Sequence, residues 1–318
     1  MAENATIPGA TPPAAAARIT RTTAMLSVGV AVMLMSLKGW AWLASDSVAM
    51  LSSLADSALD GVASLFTLAA VAYAAMPPDA EHRHGHGKAE AFAAIVQAML
   101  VGIAATLVAV EAVEHIAAPR AIEQSGLALG VMAVSIALTI ALITAQTRAV
   151  RKTGSVATAG DRAHYAADLA ANLAVMAGIA GAVFLNAPWV DPIVGLAVAA
   201  WLAWTAVDVA RGALDQLLDR ELPDEARTRI RDIALSGKEF LDVHMLRTRA
   251  SGPYIHIQFH ADLPRHLSLK EAHERMVAVE QRILEAFPAA DVLIHPDPRG
   301  AEPHGNDLFT AAAGEKAN

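Results

Sequence analysis

The stretch SLADSALDGVASLF, Ser53–Phe66, lies inside an apolar run from Val48 to Met76 and carries two aspartates, Asp56 and Asp60, four residues apart. A run of that length and hydropathy reads as a membrane-spanning helix, which needs about 20 mostly apolar residues. Four-residue spacing puts both carboxylates on one helix face. A charge at the bilayer centre costs at least about 2.5–3.5 kcal/mol, so the pair is expected to face the interior of a helix bundle and to have a use there.

The rest of the chain supports a membrane setting. Of its 318 residues 55% are apolar and only 5% aromatic, and the mean hydropathy is +0.39. Ala, Val, Leu, Ile and Met therefore supply the apolarity. There is no cysteine, which excludes disulfides, thiolate metal sites and cysteine nucleophiles. A net charge of −8 without a basic stripe argues against nucleic acid as a partner. Neither a phosphate-binding GxxxxGK[ST] nor a GxGxxG after a strand occurs, so nucleotide is not expected as the energy source, and an ion gradient, most simply of protons, takes its place.

Six segments qualify or nearly qualify as spans: Thr23–Ala44, Val48–Met76, Phe92–Ile116, Leu127–Thr147, Asp161–Asn186 and Pro192–Arg211, the second and fifth interrupted by charges. Their connections are short except for Pro77–Ala91 and Arg148–Gly160. Arg18 and Arg21, Arg83 and Lys88, and Arg148, Arg151 and Lys152 fall on one side, whereas only Arg120 falls on the other. The positive-inside bias and an even span count place both termini in the cytoplasm. Beyond Arg211 the pattern changes. LPDEARTRIRDIALS is an amphipathic helix, FLDVHMLRTRA and PYIHIQFHAD are strands around an SGP turn, SLKEAHERMVAVEQRILEAF is a Ser-capped helix, and ADVLIHPDP is a short strand. The expected organisation is a disordered tail over 1–17, a six-helix transmembrane bundle over 18–212, a cytoplasmic α+β domain of order αββαβ over 213–298, and a disordered tail over 299–318.

Three clusters carry chemistry. Asp56 and Asp60 have a counterpart in DRAHYAADLAANLAV, where His164 and Asp168 are again four apart. Three carboxylates and one imidazole suffice for tetrahedral Zn²⁺ or a similar ion. The ligands must shed protons to bind metal, so metal and protons compete at such a site. The plainer alternative, hydrogen bonds that link helices, is hard to sustain for two pairs on separate spans. Asp46 and Asp191, at span starts, read as helix caps. Lys38 is expected to snorkel outward or to pair with a carboxylate, and Glu111, Glu114 and His115 to face water. In PPDAEHRHGHGKAE, Asp79, His82, His84 and His86 fall within eight residues, which fits either a metal site or a solvated loop. In the tail domain, His256 and His260 share a strand face, as do His295 and Asp297, with His244 and His273 on neighbouring elements.

SLADSALD, HGHGKAEAFAA, AHYAADLAAN, LLDRELPDE, DVHMLRTRASGPYIHIQFH and DVLIHPDP together resemble the cation diffusion facilitators, proton-coupled exporters of divalent metals, and among them the bacterial zinc/iron-efflux branch. The resemblance spans Ile19 to Arg299. It implies a transport site of Asp56, Asp60, His164 and Asp168, a loop site of Asp79, His82 and His86, and a binuclear cytoplasmic site of His244, His260, His273, His295 and Asp297 near a dimer interface. It also implies a charge interlock of Lys88 and Asp219 that ties the protomers together, a homodimer in the bacterial inner membrane, a copper-chaperone-like tail domain, and rocking between inward- and outward-facing states. His84 and His256 have no counterpart in that pattern. His164 argues against Mn²⁺ as main cargo, leaving Zn²⁺ first with Cd²⁺ and Fe²⁺ behind it. No enzyme activity and no organic cofactor are expected. A passive channel, a membrane-anchored metal sensor and an intramembrane hydrolase with paired aspartates remain as alternatives; no HExxH or nucleophile elbow supports the last.

Overall fold

The computed structural model describes residues 8–45, 48–117, 126–185 and 190–300. Six long helices come first: α1 (Pro13–Ser45), α2 (Val48–Ala74), α3 (Ala89–Ala117), α4 (Gly126–Thr153), α5 (Val156–Leu185) and α6 (Val190–Leu217). Among the described residues five of them, all but α5, are long and apolar enough to cross a membrane. α5 spans 30 residues and carries Asp161, Arg162, His164 and Asp168 in its first half. α3 packs along α6, α1 along α2, and α5 against both α3 and α6. The contacts are made by small residues: Ala105, Ala163, Ala167 and Ala206 are buried with Val101 and Leu202. Close approach of this kind is how helices associate where lipid is as apolar as the side chains. Large side chains such as Leu43, Leu59, Leu107 and Trp204 stand exposed on the outside, where a bilayer would cover them.

Two boundaries differ from the sequence reading. The first helix begins at Pro13 within the segment expected to be a disordered tail. Proline suits a first helical turn, and the alanines that follow have the highest helix propensity. Gly9 and Thr11 are also engaged: the Ala289 N–H donates to the Gly9 carbonyl, and the Thr11 hydroxyl donates to the Lys152 carbonyl at 2.6 Å. The polar connection expected over Arg148–Gly160 shrinks to Gly154 and Ser155. Gly154 takes φ +68 at the end of α4, and the Ser155 hydroxyl accepts from the Thr158 N–H as the cap of α5. The cap expected of Asp46, the position of Arg120 and the tail expected beyond Gly300 lie outside the described residues, as does the side chain of Asp191, whose backbone is the second residue of α6.

The tail domain is α7 (Asp224–Leu235), β1 (Asp242–Ser251), β2 (Tyr254–Leu263), α8 (Leu269–Ala286) and β3 (Ala290–Pro298), the αββαβ order read from the pattern. The sheet order is β1-β2-β3, with β1 and β2 antiparallel and β3 parallel to β2. A parallel pair needs a crossover, and α8 supplies it. Ser268 and Glu271 form a reciprocal capping box at its start, the two-donor arrangement that fixes a helix N-terminus. Along β2 Ile255, Ile257, Phe259 and Ala261 point into a core shared with Ile230, Val279 and Ile283. By strand alternation His256, Gln258, His260 and Asp262 occupy the opposite face.

Candidate metal sites

Inside the bundle, α2 and α5 bring Asp60, His164 and Asp168 together, with ligand atoms all within 4.8 Å of one another. His164 Nε2 lies 3.0 Å from Asp60 Oδ1 and 3.9 Å from Asp168 Oδ2. Asp168 Oδ2 is buried without a hydrogen-bond partner. An unpartnered buried carboxylate oxygen is costly, and a cation is what such an oxygen suits. Asp56, one turn before Asp60, is exposed and is not among the three. Lys38 does not snorkel outward. Its Nζ donates to the Ser57 hydroxyl at 2.7 Å and to the Ser53 carbonyl at 3.2 Å, with Asp56, Asp60 and Asp168 within electrostatic reach. Three neighbouring carboxylates attract an ammonium more strongly than the distant interface does.

Next to this trio is a network that the sequence reading left unused. The Asp161 carboxylate accepts from the Ser27 hydroxyl at 2.6 Å and from the Gln146 amide at 2.8 Å, and Tyr165 and Ser64 bond each other beside it at 2.9 Å. It joins α1, α2, α4 and α5 behind His164. A charged residue in an apolar helix was its only sequence signal, and Asp161 was read merely as a span boundary.

Three further clusters lie outside the bundle. In the α2–α3 connection, Asp79 Oδ1 accepts from the backbone N–H groups of His82 at 2.6 Å and Glu81 at 2.9 Å. The bond from His82, above all, holds the Asp79 carboxyl below its usual range, so it stays ionised. His82 Nδ1 and His86 Nε2 lie 3.4 and 3.3 Å from its two oxygens, and His86 Nδ1 is buried and unbonded. On the sheet, the register sets His244 against His260 and His260 against His295. Asp297 Oδ2 lies 2.8 Å from His260 Nδ1 and 3.4 Å from His244 Nε2, and Asp297 Oδ1 lies 3.4 Å from His295 Nε2. Asp297 Oδ1 accepts no hydrogen bond although it is buried. The donor sets of both clusters, imidazole with carboxylate, fit a divalent ion of the zinc type. His273 does not join them. It is exposed on α8, the helix that covers the opposite sheet face. The fourth cluster, His84, His256 and Asp291, unites the two histidines that had no counterpart.

The Lys88–Asp219 pair forms at 2.9 Å within one chain, linking the start of α3 to the segment after α6. Arg249 adds a second cation to Asp219 at 3.2 Å. Partial burial pushes the Asp219 carboxyl up, but the hydrogen bond and charge of Lys88, then Arg249, outweigh it and hold the group below its usual range. A lowered carboxyl pKa contributes stability above the unfolded value of about 3.9 and loses it as pH falls through the folded value. Both side chains are 40% exposed, so the pair contributes under about 1 kcal/mol. Asp219→Asn is therefore expected to lower the thermal midpoint by about 1–3 °C equally at pH 8 and pH 5, the gap closing only below about pH 4. A scan of both proteins across that range checks it.

Long apolar helices with ionisable ligands held inside, and a ligand-bearing domain attached, define a multi-pass membrane protein that handles divalent cations. The chain belongs to the cation efflux family: residues 24–218 match the family's cation efflux transmembrane domain, and residues 222–299 match the cation efflux protein cytoplasmic domain. It is 36% identical to the cation-efflux pump FieF of Serratia proteamaculans over 289 residues, covering 91% of this chain and 96% of that one. It is 38% identical to FieF of Shewanella oneidensis over 277 residues, covering 87% and 93%. The protein is thus a divalent metal cation efflux transporter rather than an enzyme.

Proposed function

We propose that this transporter exports Zn²⁺, with Cd²⁺ and Fe²⁺ as lesser cargo, in exchange for protons by alternating access. The observation that carries the reading is the Asp60–His164–Asp168 trio with its unbonded Asp168 oxygen inside the bundle. One imidazole with carboxylates favours zinc over manganese or iron in the ordinary order of affinities. All six long helices span the inner membrane, with both termini in the cytoplasm, as the distribution of Lys and Arg supports. Cytoplasmic metal displaces protons from the trio, and Asp56, one turn away on the same face, completes the set by turning inward. The bundle rocks, and outside protons compete the metal off.

The unit is a homodimer, bound through a copper-chaperone-like tail domain over residues 213–298 beneath a transmembrane domain over 18–212. The loop cluster (Asp79, His82, His86) and the sheet cluster (His244, His260, His295, Asp297) hold regulatory or structural metal, and His273 serves such a site only through the second copy. Metal in the tail favours the transport-competent state, a coupling of two sites through one conformational equilibrium.

The test is zinc uptake by proteoliposomes that hold a trapped zinc dye. Flux that rises with an imposed pH gradient and acidifies or alkalises the lumen in step supports exchange. Flux down a zinc gradient indifferent to pH makes the protein a channel. No flux, with metal bound only by the tail domain, makes it a sensor.

A further inference from the structure

We propose that His84, His256 and Asp291 form a further divalent-metal site, one that pins the α2–α3 connection to the cytoplasmic sheet. Each offers a ligand atom, and the three atoms lie within 4.8 Å of one another. The site joins parts of the chain distant in sequence. His84 comes from the connection between two long helices, His256 from the central strand, and Asp291 from the start of β3. The β2–β3 register sets His256 directly against Asp291, with His256 Nδ1 3.0 Å from Asp291 Oδ2. The His84 ring meets the His256 ring edge-on with centroids 5.4 Å apart.

Two observations point to a ligand rather than to a simple contact. The His256 side chain is only 7% exposed, yet its Nε2 is buried with no hydrogen-bond partner. An imidazole with one nitrogen engaged and the other orphaned away from water is unfavourable, and a metal bound at the orphaned Nε2 relieves that cost. The cluster also opens on a cavity of about 620 Å³ lined by His82, His84, His86, Lys88, Arg249 and His256, and Asp291 is exposed, so an ion has a path in.

The nearby cation does not forbid it. Arg249 pairs with His256 across β1–β2, but its guanidinium is engaged by Asp219, and Asp291 adds a negative charge of its own. The cluster is also distinct from its neighbour in the same loop. His82 and His86 turn together toward Asp79, and Gly85, at φ +79, reverses the chain between His84 and His86. Two imidazoles and one carboxylate, with water as the fourth ligand, are a donor set for zinc or another borderline divalent ion. Such an ion would tie the cytoplasmic metal level to the position of the connection that begins α3.

The test is a metal count on the purified full-length dimer, stripped with chelator and titrated with Zn²⁺ to saturation in equilibrium dialysis, with Co²⁺ absorption as a second readout. His84→Ala and Asp291→Asn change exposed residues, so both variants are expected to fold. Each is expected to bind one equivalent per protomer fewer than the wild type and to lose one component of the Co²⁺ spectrum. His82→Ala is expected to lose a different equivalent, and the His82→Ala/His84→Ala double variant two. Unchanged stoichiometry in His84→Ala and Asp291→Asn overturns the proposal. So does a double variant that loses no more than His82→Ala alone, since the three loop histidines would then serve one site.

Discussion

Asp60→Asn and Asp168→Asn are each expected to reduce pH-driven zinc flux in proteoliposomes by roughly 10²-fold or more, to the level of empty vesicles. The asparagine variants are more telling than alanine because they keep the volume and much of the hydrogen bonding. A structural role for these residues, holding α2 against α5 through His164, survives such a change. A liganding role does not, because it depends on negative charge. Loss of one of three charged or imidazole ligands forfeits about 3 kcal/mol or more of metal affinity, and 1.4 kcal/mol is tenfold. The neighbourhood sharpens the effect. Lys38 already brings an ammonium near Asp56, Asp60 and Asp168, so removing one carboxylate leaves that cation less offset beside the trio. Asp232→Ala, exposed on α7, controls for a carboxylate lost anywhere, and its flux should match the wild type. Near-normal flux in both asparagine variants would move the transport path away from this trio.

Much of this geometry was legible in the chain, for identifiable physical reasons. Four-residue spacing on a helix is rigid, so Asp60 near Asp56's face and His164 near Asp168's followed directly. Strand patterning, helical spacing and the Ser268 cap placed the tail elements within a residue or two of β2, α8 and β3. Whatever depends on register or on inter-helix rotation was not legible. His244, His260 and His295 line up only because β1 is irregular between His244 and Arg247 and because β3 runs parallel to β2. The same pairing delivers Asp291 to His256, and no feature of DVLIHPDP alone marks that aspartate as a ligand. Of the two directions open to Lys38, outward or toward a carboxylate, the structure shows the second, which depends on the helix that α1 faces. Within this chain His273 stands apart from the other tail histidines because amphipathic α8 must bury Val279 and Ile283, which commits that helix to the apolar side of the sheet.

The close approach that holds the α2–α3 connection to the hairpin leads to the second large effect, in Gly87→Ala. A Cβ at Gly87 would lie 2.0 Å from the Ser251 carbonyl oxygen and 2.6 Å from its carbon. Both are backbone atoms of the β1–β2 turn, so no side-chain rotation relieves the overlap. The contact is reciprocal: Gly252, at φ +55 in that two-residue turn, would place its own Cβ 2.6 Å from the Gly87 oxygen. Glycine at the first central position with positive φ is what such a hairpin turn demands, and glycine at 87 is what lets a second backbone reach it. An alanine must part the two segments. Lys88, next in the chain, then loses its hold on Asp219, and His84 is drawn from His256. The expected cost is about 2 kcal/mol or more, read as a fall of roughly 5 °C in the thermal midpoint, with proteolytic nicking appearing between Asp79 and Lys88. Zinc binding at the intramembrane trio should be retained. Gly85→Ala is the matched control: Gly85 sits at φ +79, but the nearest atom to its Cβ, Pro78 Cγ, is 3.8 Å away. Its cost is only the backbone strain of about 1–2 kcal/mol, without parting the segments, so the connection should stay protected from protease. If Gly87→Ala is nicked no faster than Gly85→Ala, the connection is not held to the hairpin by this backbone contact, and the tie rests instead on the Lys88–Asp219–Arg249 pairs and the His84–His256 contact.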